Sequence, residues 1–408
     1  MKIKVIPEDF RVEEKVTLEI GQHGKYSIYR LEKRNWSTLD LIDYLKRRYR
    51  LSTIRYAGLK DRYAQTFQYV SIIGDGPPKI AEENFSLTYL GKSEHPTARD
   101  YLLGNSFHIT LRDLKEFEIP KIESTLEKIK RDGLPNYYDE QRFGSQRHHR
   151  GFFTQKLLQK HFNGALKLYM ATPSGPDDTS TRSVKKFLAE HWGDWEKCRT
   201  VKNREFQPII NYLVKHPKDF NGAIRQTNRK ILELLIAAYQ SFLWNEILAE
   251  LLHSLNLKLS IYPYSAGNFL FYQTLPDSIR TYLATLSIPN PSPKTIFKSE
   301  KIEKITTDIL WREGFVLKDL KMPIRVRGIF LKPFDRKALV FPEKLSAKEP
   351  AVDERYQGKL KLELDFFLPK GSYATILVKR LQIATGSVID SALAPKSGID
   401  ESVDATNG

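Results

Sequence analysis

Cysteine and long apolar runs are almost missing from the sequence. Cys198 is the single cysteine among 408 residues, which excludes an internal disulfide and any zinc site built from several cysteines. No run of 18 apolar residues occurs, so we expect no membrane-spanning segment. The N-terminal MKIKVIPEDF has no apolar signal core. These absences predict a cytoplasmic protein.

Motifs that bind nucleotides or activate nucleophiles are also absent. The sequence contains neither G-x-x-x-x-G-K-[ST] nor G-x-G-x-x-G, and GDGPP (74–78) runs into prolines instead of a helix. It has no G-x-S-x-G elbow of a serine hydrolase. His148 and His149 are adjacent, so one helix face cannot present both to a metal ion. We therefore predict no nucleotide cofactor and no metal site.

Positive charge, in contrast, is abundant. The chain holds 65 lysine and arginine residues against 49 acidic residues, which gives a formal net charge of +16. Such a field attracts polyanions, of which nucleic acid is the most common. The other interpretation is a lysine-rich surface that keeps the protein soluble. Hydrophobic residues make up 41% of the chain, enough for a large core in two or three domains.

The apolar pattern divides the chain into a β-rich start, a helix-rich middle and a β-rich end. It predicts strands at 25–33, 66–73, 105–114, 324–330, 337–341 and 359–368. It predicts helices at 38–49, 119–133, 228–255 and 370–382. We interpret residues 1–150 and 326–384 as one sheet domain, interrupted by an inserted domain at 151–325. Residues 385–408 are small and polar, so we expect a disordered tail.

Two segments concentrate residues that carry chemistry. In YAGLKDRYAQTFQ (56–68), Asp61 lies between two cations directly after a glycine turn. It is either a turn residue in a surface ion pair or a catalytic carboxylate held ionised. The segment NYYDEQRFGSQRHHR (136–150) mixes tyrosines and amides with arginines and histidines. Such residues stack on bases, read base edges and neutralise phosphates, although a strand edge followed by a basic turn has the same composition.

Five segments follow one another in an order that is typical of a known family. They are KVIPEDFRVEE (4–14), GLKDRYAQT (58–66), NYYDEQRFG (136–144), AYQSFLWN (238–245) and FFLPKGSYAT (366–375). Together they resemble the TruD family of tRNA pseudouridine synthases. One such motif is weak, but five in order over nearly the whole chain are specific.

The resemblance implies isomerisation of a uridine in tRNA, at position 13. The bond between N1 and C1′ breaks, the base turns, and C5 joins C1′, without a cofactor, a metal ion or an energy source. The resemblance also implies an α+β fold, in which helices flank a mixed, mostly antiparallel sheet and a helix-rich α/β domain is inserted. The RNA is expected in the cleft between the two domains.

The resemblance assigns the catalytic aspartate of pseudouridine synthases to Asp61. This carboxylate must be ionised, whether it attacks C1′ or removes a ribose proton, and a nearby cation offsets the cost of burying its charge. Lys4, matched on K-x-x-P-E-D-F, is the first candidate for that cation. If the segment is a strand, Lys60 and Arg62 point away from Asp61, and we predict that they contact phosphates.

The family's NYF segment implies that Asn136 and the ring of Tyr138 lie beside the extruded base. The sequence departs from the family here, because Tyr138 replaces a usual Phe and Asp139 a usual Gly. Stacking survives the first change, whereas Asp139 must point away from the RNA or pair with Arg142, which is itself a candidate RNA contact. Phe10 is either a residue beside the site or part of the core.

Two functions from different classes fit the sequence. The first is a tRNA pseudouridine synthase, probed by mapping pseudouridine on tRNA incubated with the pure protein. The second is a catalytically idle RNA-binding protein on the same fold, such as a tRNA folding helper. Both interpretations predict tRNA as the partner, and we expect a monomer.

Overall fold

The computed structural model of the protein describes four stretches of the chain, at residues 1–51, 53–143, 151–174 and 177–386. The predicted tail lies outside the described residues, apart from Thr385 and Gly386. The pair His148 and His149 lies outside them too.

Strands come mainly from the two ends of the chain. They are β1 (Phe10–Val16), β2 (Tyr26–Lys33), β3 (Arg55–Tyr56), β4 (Gln65–Ile73), β5 (Lys79–Glu82), β6 (Phe85–Ser93), β7 (Leu102–Leu114), β8 (Leu134–Pro135), β9 (Leu259–Tyr264), β10 (Gly267–Tyr272), β11 (Ser287–Pro289), β12 (Asp335–Lys337), β13 (Leu339–Val340), β14 (Glu343–Ala347), β15 (Ala351–Val352) and β16 (Leu360–Pro369).

Ten of these strands form one sheet in the order β14-β16-β7-β1-β4-β2-β6-β5, with β15 beside β16 and β3 beside β4. Among the described strand pairs, only β1 and β4 run parallel. The predicted mixed, mostly antiparallel sheet is therefore confirmed.

Helices dominate the middle of the chain. The described α-helices are α1 (Thr38–Arg48), α2 (Ile119–Asp132), α3 (Phe153–Leu158), α4 (Phe162–Met170), α5 (Thr179–Glu190), α6 (Trp195–Cys198), α7 (Gln207–Lys215), α8 (Phe220–Ile224), α9 (Arg229–His253), α10 (Asp277–Thr285), α11 (Glu300–Arg312) and α12 (Ala374–Thr385). Short 3-10 turns include Pro7–Asp9 and Glu140–Phe143.

Local signals explain the helices that flank the sheet. Ser37 caps α1, because its hydroxyl accepts from the backbone N–H of Asp40 at 3.1 Å. Leu41 and Leu45 of α1 are buried in the core over β2, β4 and β6. Helices α2 and α12 cover β1, β7 and β16 in a second core. The predicted helices at 38–49, 119–133 and 370–382 are thus present, the last starting later than predicted.

Helix α9 is the centre of a third core, which gathers the helices of the middle region. Tyr239 and Trp244 on α9 are fully buried there. By length and hydropathy α9 could cross a membrane, but 67% of its most apolar window is buried inside the protein, as in a core helix. The burial accounts for the apolar composition.

The prediction of a strand at 324–330 is wrong. This segment has no ladder and contains a turn in which Ile329 N–H donates to the carbonyl of Val326. Pro323 and Pro333 bracket it and cannot donate to a sheet. The segment at 337–341 forms only short ladders, in which β12 pairs with β11 and β13 with β8. The proposed domain boundaries stay a prediction.

The topology brings the ends of three neighbouring strands, β1, β4 and β2, to the same side of the sheet. Parallel β1 and β4 begin side by side, with Arg11 opposite Gln65. Antiparallel β2 ends at the same place, with Lys33 opposite Thr66. Side chains just before β1, just before β4 and at the end of β2 therefore lie close together.

Candidate active site

Asp61 lies in the loop that enters β4. Residues 57–64 have no strand structure, so the predicted strand geometry for Lys60 and Arg62 is wrong. The loop is held by Lys33, whose buried Nζ donates to the main-chain carbonyl of Asp61 at 2.7 Å and to that of Trp36 at 2.8 Å. The Asp61 side chain keeps 27% of its surface exposed.

Lys4 meets the Asp61 carboxylate, as the family motif led us to expect. Its Nζ lies 2.5 Å from Asp61 Oδ2 and 4.2 Å from the centroid of the buried Phe10 ring. The residue adopts a positive φ of 56°, which a non-glycine residue holds only when its surroundings enforce it. Asp9 does this, because its carboxylate accepts from the N–H groups of Val5 and Ile6.

Arg112 in turn fixes Asp9. Its Nε donates to Asp9 Oδ1 at 2.8 Å, and both side chains are buried. These contacts explain the motif K-x-x-P-E-D-F. Its aspartate, Asp9, folds the chain so that Lys4 and Phe10 lie beside Asp61. Phe10 belongs to the core, because it packs on Phe107, and its ring also contacts Lys4. A contact of Phe10 with the substrate stays a prediction.

Gln141 is a site residue that sequence reasoning did not assign. Its Nε2 donates to Asp61 Oδ2 at 3.0 Å, the same oxygen that Lys4 contacts. The 3-10 turn Glu140–Phe143 carries it across from the 136–150 segment. The neighbouring Arg142 and the family motif were the only signals, and neither indicates a contact with Asp61.

Lys33 is the second missed residue. Its side chain is fully buried. Burial lowers the pKa of Lys33 from 10.5 to about 8, while the charge of Asp61 opposes this shift and that of Lys60 adds to it. A lysine at an inward position of a β-strand was the available signal, since β2 alternates buried and half-buried residues from Tyr29 to Lys33.

Lys60 does not present its ammonium group to solvent, which corrects the predicted phosphate contact. Its Nζ lies 2.6 Å from Glu14 Oε1, and the two side chains are 7% and 0% exposed. Lys60 is needed there because an unpaired buried carboxylate is costly. Arg62 is exposed and donates weakly to the carbonyl of Asn35 at 3.4 Å, so its phosphate contact stays a prediction.

A cleft of about 1060 Å³ opens beside this cluster. One wall is residues 56–60, which lead directly into Asp61, although Asp61 is not itself a lining residue. The other walls come from α9 and from residues 328–341 and 369–373. The lining includes eight lysines and arginines, of which Lys60 is paired with Glu14, but only two acidic residues, Glu233 and Asp335. The cleft therefore favours a polyanion.

Asn136 lines the cleft and is held by Arg336. The guanidinium Nη2 donates to Asn136 Oδ1 at 2.7 Å, and Nε donates to the Asn136 carbonyl at 2.8 Å. Ser372 also donates to the Asn136 side chain. Burial lowers the pKa of Arg336. Arg336 of β12 thus links the NYY segment to the C-terminal part of the chain. Sequence reasoning did not identify it as a site residue.

The Tyr138 ring is 5% exposed. The Arg336 guanidinium lies 4.1 Å from the ring centroid, and Trp244 meets the ring edge to face. The Tyr138 hydroxyl donates to Asn290 Oδ1 at 3.2 Å. Stacking of Tyr138 on a base stays a prediction, and the Arg336 guanidinium already lies over the ring.

Asp139 points away from the cleft, one of the two arrangements expected from the sequence. It is buried and pairs with Lys379 at 2.8 Å, and Thr375 donates to its other oxygen. Arg142 lines the cleft instead, with its Nε donating to Ser241 Oγ at 3.3 Å.

The arrangement places a carboxylate beside a cleft. The Asp61 carboxylate has an ammonium and an amide as hydrogen-bond partners, and the adjoining cleft supplies cationic and aromatic walls.

Comparisons with known proteins are consistent with this geometry. The family model described as tRNA pseudouridine synthase D (TruD) matches residues 1–381. "Probable tRNA pseudouridine synthase D 2" of Methanocaldococcus jannaschii is 34% identical, over 93% of this chain and 91% of the relative. "tRNA pseudouridine synthase D" of Leptospira interrogans is 33% identical, over 93% and 96%. A crystal structure from Methanosarcina mazei that carries the TruD name superposes with a TM-score of 0.67 at 26% identity, covering 93% of both chains.

Proposed function

Because the chain belongs to the tRNA pseudouridine synthase D family, we propose that its Asp61 acts in the ionised form on an extruded uridine at position 13 of tRNA. The family isomerises uridine in tRNA to pseudouridine, and this chain is an isomerase of that kind. The finer statements, on the residue and the position, are our proposal, as are a monomeric state and a cytoplasmic location.

The contact between Lys4 and Asp61 carries the proposal. The ammonium group lies 2.5 Å from Oδ2, and Gln141 donates to the same oxygen. Charge-assisted hydrogen bonds of this kind are stronger than neutral ones, so the two donors fix the position of the carboxylate. They also orient it, so that Oδ1 is the oxygen we assign to the reaction.

The chemistry balances without a cofactor. Either Oδ1 attacks C1′, and the Oδ1–C1′ bond breaks again when C5 joins C1′, or Asp61 removes a ribose proton and returns it to the ribose at the end. In both cases the bond between N1 and C1′ breaks. The base turns, the C5–C1′ bond forms, C5 loses its proton, and N1 gains one. Each route starts from an ionised oxygen of the carboxylate that Lys4 and Gln141 hold in place.

The cleft supplies the path for the RNA. Extrusion of a stacked uridine costs roughly a few kcal/mol, which contacts to phosphates and flanking bases must offset. Cationic residues such as Arg99, Lys230 and Lys370 line the cleft and are suited to phosphate contacts.

The test is to map pseudouridine at single-nucleotide resolution on a tRNA transcript incubated with the pure protein. We expect one modified uridine at position 13. A transcript with cytidine at that position is the matched control and should stay unmodified. Pseudouridine at another position would refute the assignment of position 13, and no pseudouridine in any tRNA would refute the proposed activity.

A further inference from the structure

Residues 328–334 form a strap along the cleft that displays two aromatic rings. Ile329 and Leu331 are buried and anchor the strap to the protein. Phe330 and Phe334 are 51% and 45% exposed, although both are large apolar residues. Both rings belong to the lining of the cleft beside Asp61. Exposed aromatic rings grouped in a cleft indicate a binding surface.

The backbone of the strap is pinned, so the rings are held in place. Gln240 of α9 donates from Nε2 to the carbonyl of Lys332 at 2.9 Å. Asn290 donates from its backbone N–H to the carbonyl of Phe334 at 2.9 Å. The strap starts in a tight turn at Gly328, whose φ of 77° suits glycine. A ring fixed in this way loses little freedom when a ligand stacks on it.

Cations surround the strap on the cleft side. Lys332 lies within the strap and is exposed, while Lys230 and Lys337 flank it in the lining. The lining of the cleft also holds Leu59, which is 50% exposed and two residues before Asp61. Lysine is depleted at the centre of protein–protein interfaces, whereas aromatic rings among lysines are typical of single-strand nucleic-acid sites.

We propose that the strap binds the single-stranded nucleotides that flank the target uridine. Their bases stack on Phe330 and Phe334, and their phosphates contact Lys230, Lys332 and Lys337. The inference rests on the proposed function, because it places these nucleotides next to a base extruded toward Asp61. It explains how the enzyme holds the neighbours of the target after that base leaves the stack.

The experiment measures binding of an eight-nucleotide oligoadenylate, which contains no uridine and so reports on binding separately from isomerisation. Phe330→Ala and Phe334→Ala should each weaken binding about 5- to 150-fold, without changing the slope of log affinity against log salt. Phe330→Trp keeps a stacking surface and should restore binding. Lys332→Ala should instead flatten the slope by about 0.7. Trp311→Ala is the control, because Trp311 is 76% exposed on α11 outside the cleft.

Two results would overturn the proposal. The first is wild-type affinity for oligoadenylate in both alanine variants. The second is a dimer of the wild-type protein in sedimentation that Phe330→Ala dissociates, because the strap would then contact a second copy of the chain. Failure of the proposed function is seen separately, since a protein that forms no pseudouridine can still lose oligoadenylate binding when Phe330 or Phe334 is truncated.

Discussion

Replacing Lys33 with methionine tests the electrostatic account of the site, because Lys33 is buried against the Asp61 main chain. Burial lowers its pKa from 10.5 to about 8. Each pKa unit corresponds to about 1.4 kcal/mol. The charged form of Lys33 therefore reduces the free energy of unfolding by about 3 kcal/mol at neutral pH. Its two hydrogen bonds to carbonyl oxygens offset part of this cost.

The sign of the pH dependence follows from proton binding. Between pH 8 and 10.5 the unfolded chain binds more protons at Lys33 than the folded chain does, so the free energy of unfolding rises with pH. Below the folded pKa both states are protonated and this contribution is constant. Lys33→Met lacks the titrating group. The wild type should thus gain up to about 3 kcal/mol relative to the variant over this range.

The assay is urea unfolding of both proteins at pH 7, 8, 9 and 10, with the difference in unfolding free energy plotted against pH. Lys304→Met, at an exposed position of α11, is the matched control and should give a nearly flat difference. A flat difference for Lys33→Met, or one that moves in favour of the variant as pH rises, would refute the reasoning.

Three further predictions concern the cleft and its support. Tyr138→Phe should lower the free energy of unfolding, measured in urea, by only about 0.5–1.5 kcal/mol, because it removes one hydrogen bond to Asn290. Tyr138→Ala also removes the buried ring and should lower it by about 3–5 kcal/mol. Equal losses in the two variants would contradict the packing of the ring. Asp139→Asn should lower the free energy of unfolding by about 3–5 kcal/mol, because it leaves Lys379 buried without its main partner. Adding Lys379→Met to this variant should recover part of the loss. No recovery would show that the two residues are not coupled. Binding of tRNA should weaken with salt at a log–log slope steeper than about −3, and a nearly flat plot would exclude the cleft as a phosphate-binding surface.

Much of the fold could be predicted from periodicity. The apolar positions of α1 and α9 gave these helices nearly to their ends. The strand predicted at 324–330 failed, because alternation alone does not supply a partner strand and two prolines prevent one. Its exposed phenylalanine instead faces a cleft that is assembled from distant parts of the chain.

The candidate site, like the fold, could be predicted only in part. Lys4 and Asp61 could be paired from family motifs, and the structure brings them together. Gln141 and Arg336 could not be placed, because their contacts depend on the path of a turn and of the returning chain. Lys60 was misjudged because its partner, Glu14, is a buried carboxylate on β1 that only the parallel pairing of β1 and β4 brings near.

The most direct test of the central claim is the single-turnover rate of pseudouridine formation by Asp61→Asn with saturating enzyme. The exchange keeps the size of the side chain and removes the anionic oxygen that both routes require. We expect no detectable product, with tRNA affinity nearly unchanged, because phosphate contacts elsewhere dominate binding. Asp43→Asn, on the exposed side of α1, should react as the wild type does. A rate for Asp61→Asn within about tenfold of wild type, a loss of about 1.4 kcal/mol or less in the barrier, would contradict the account.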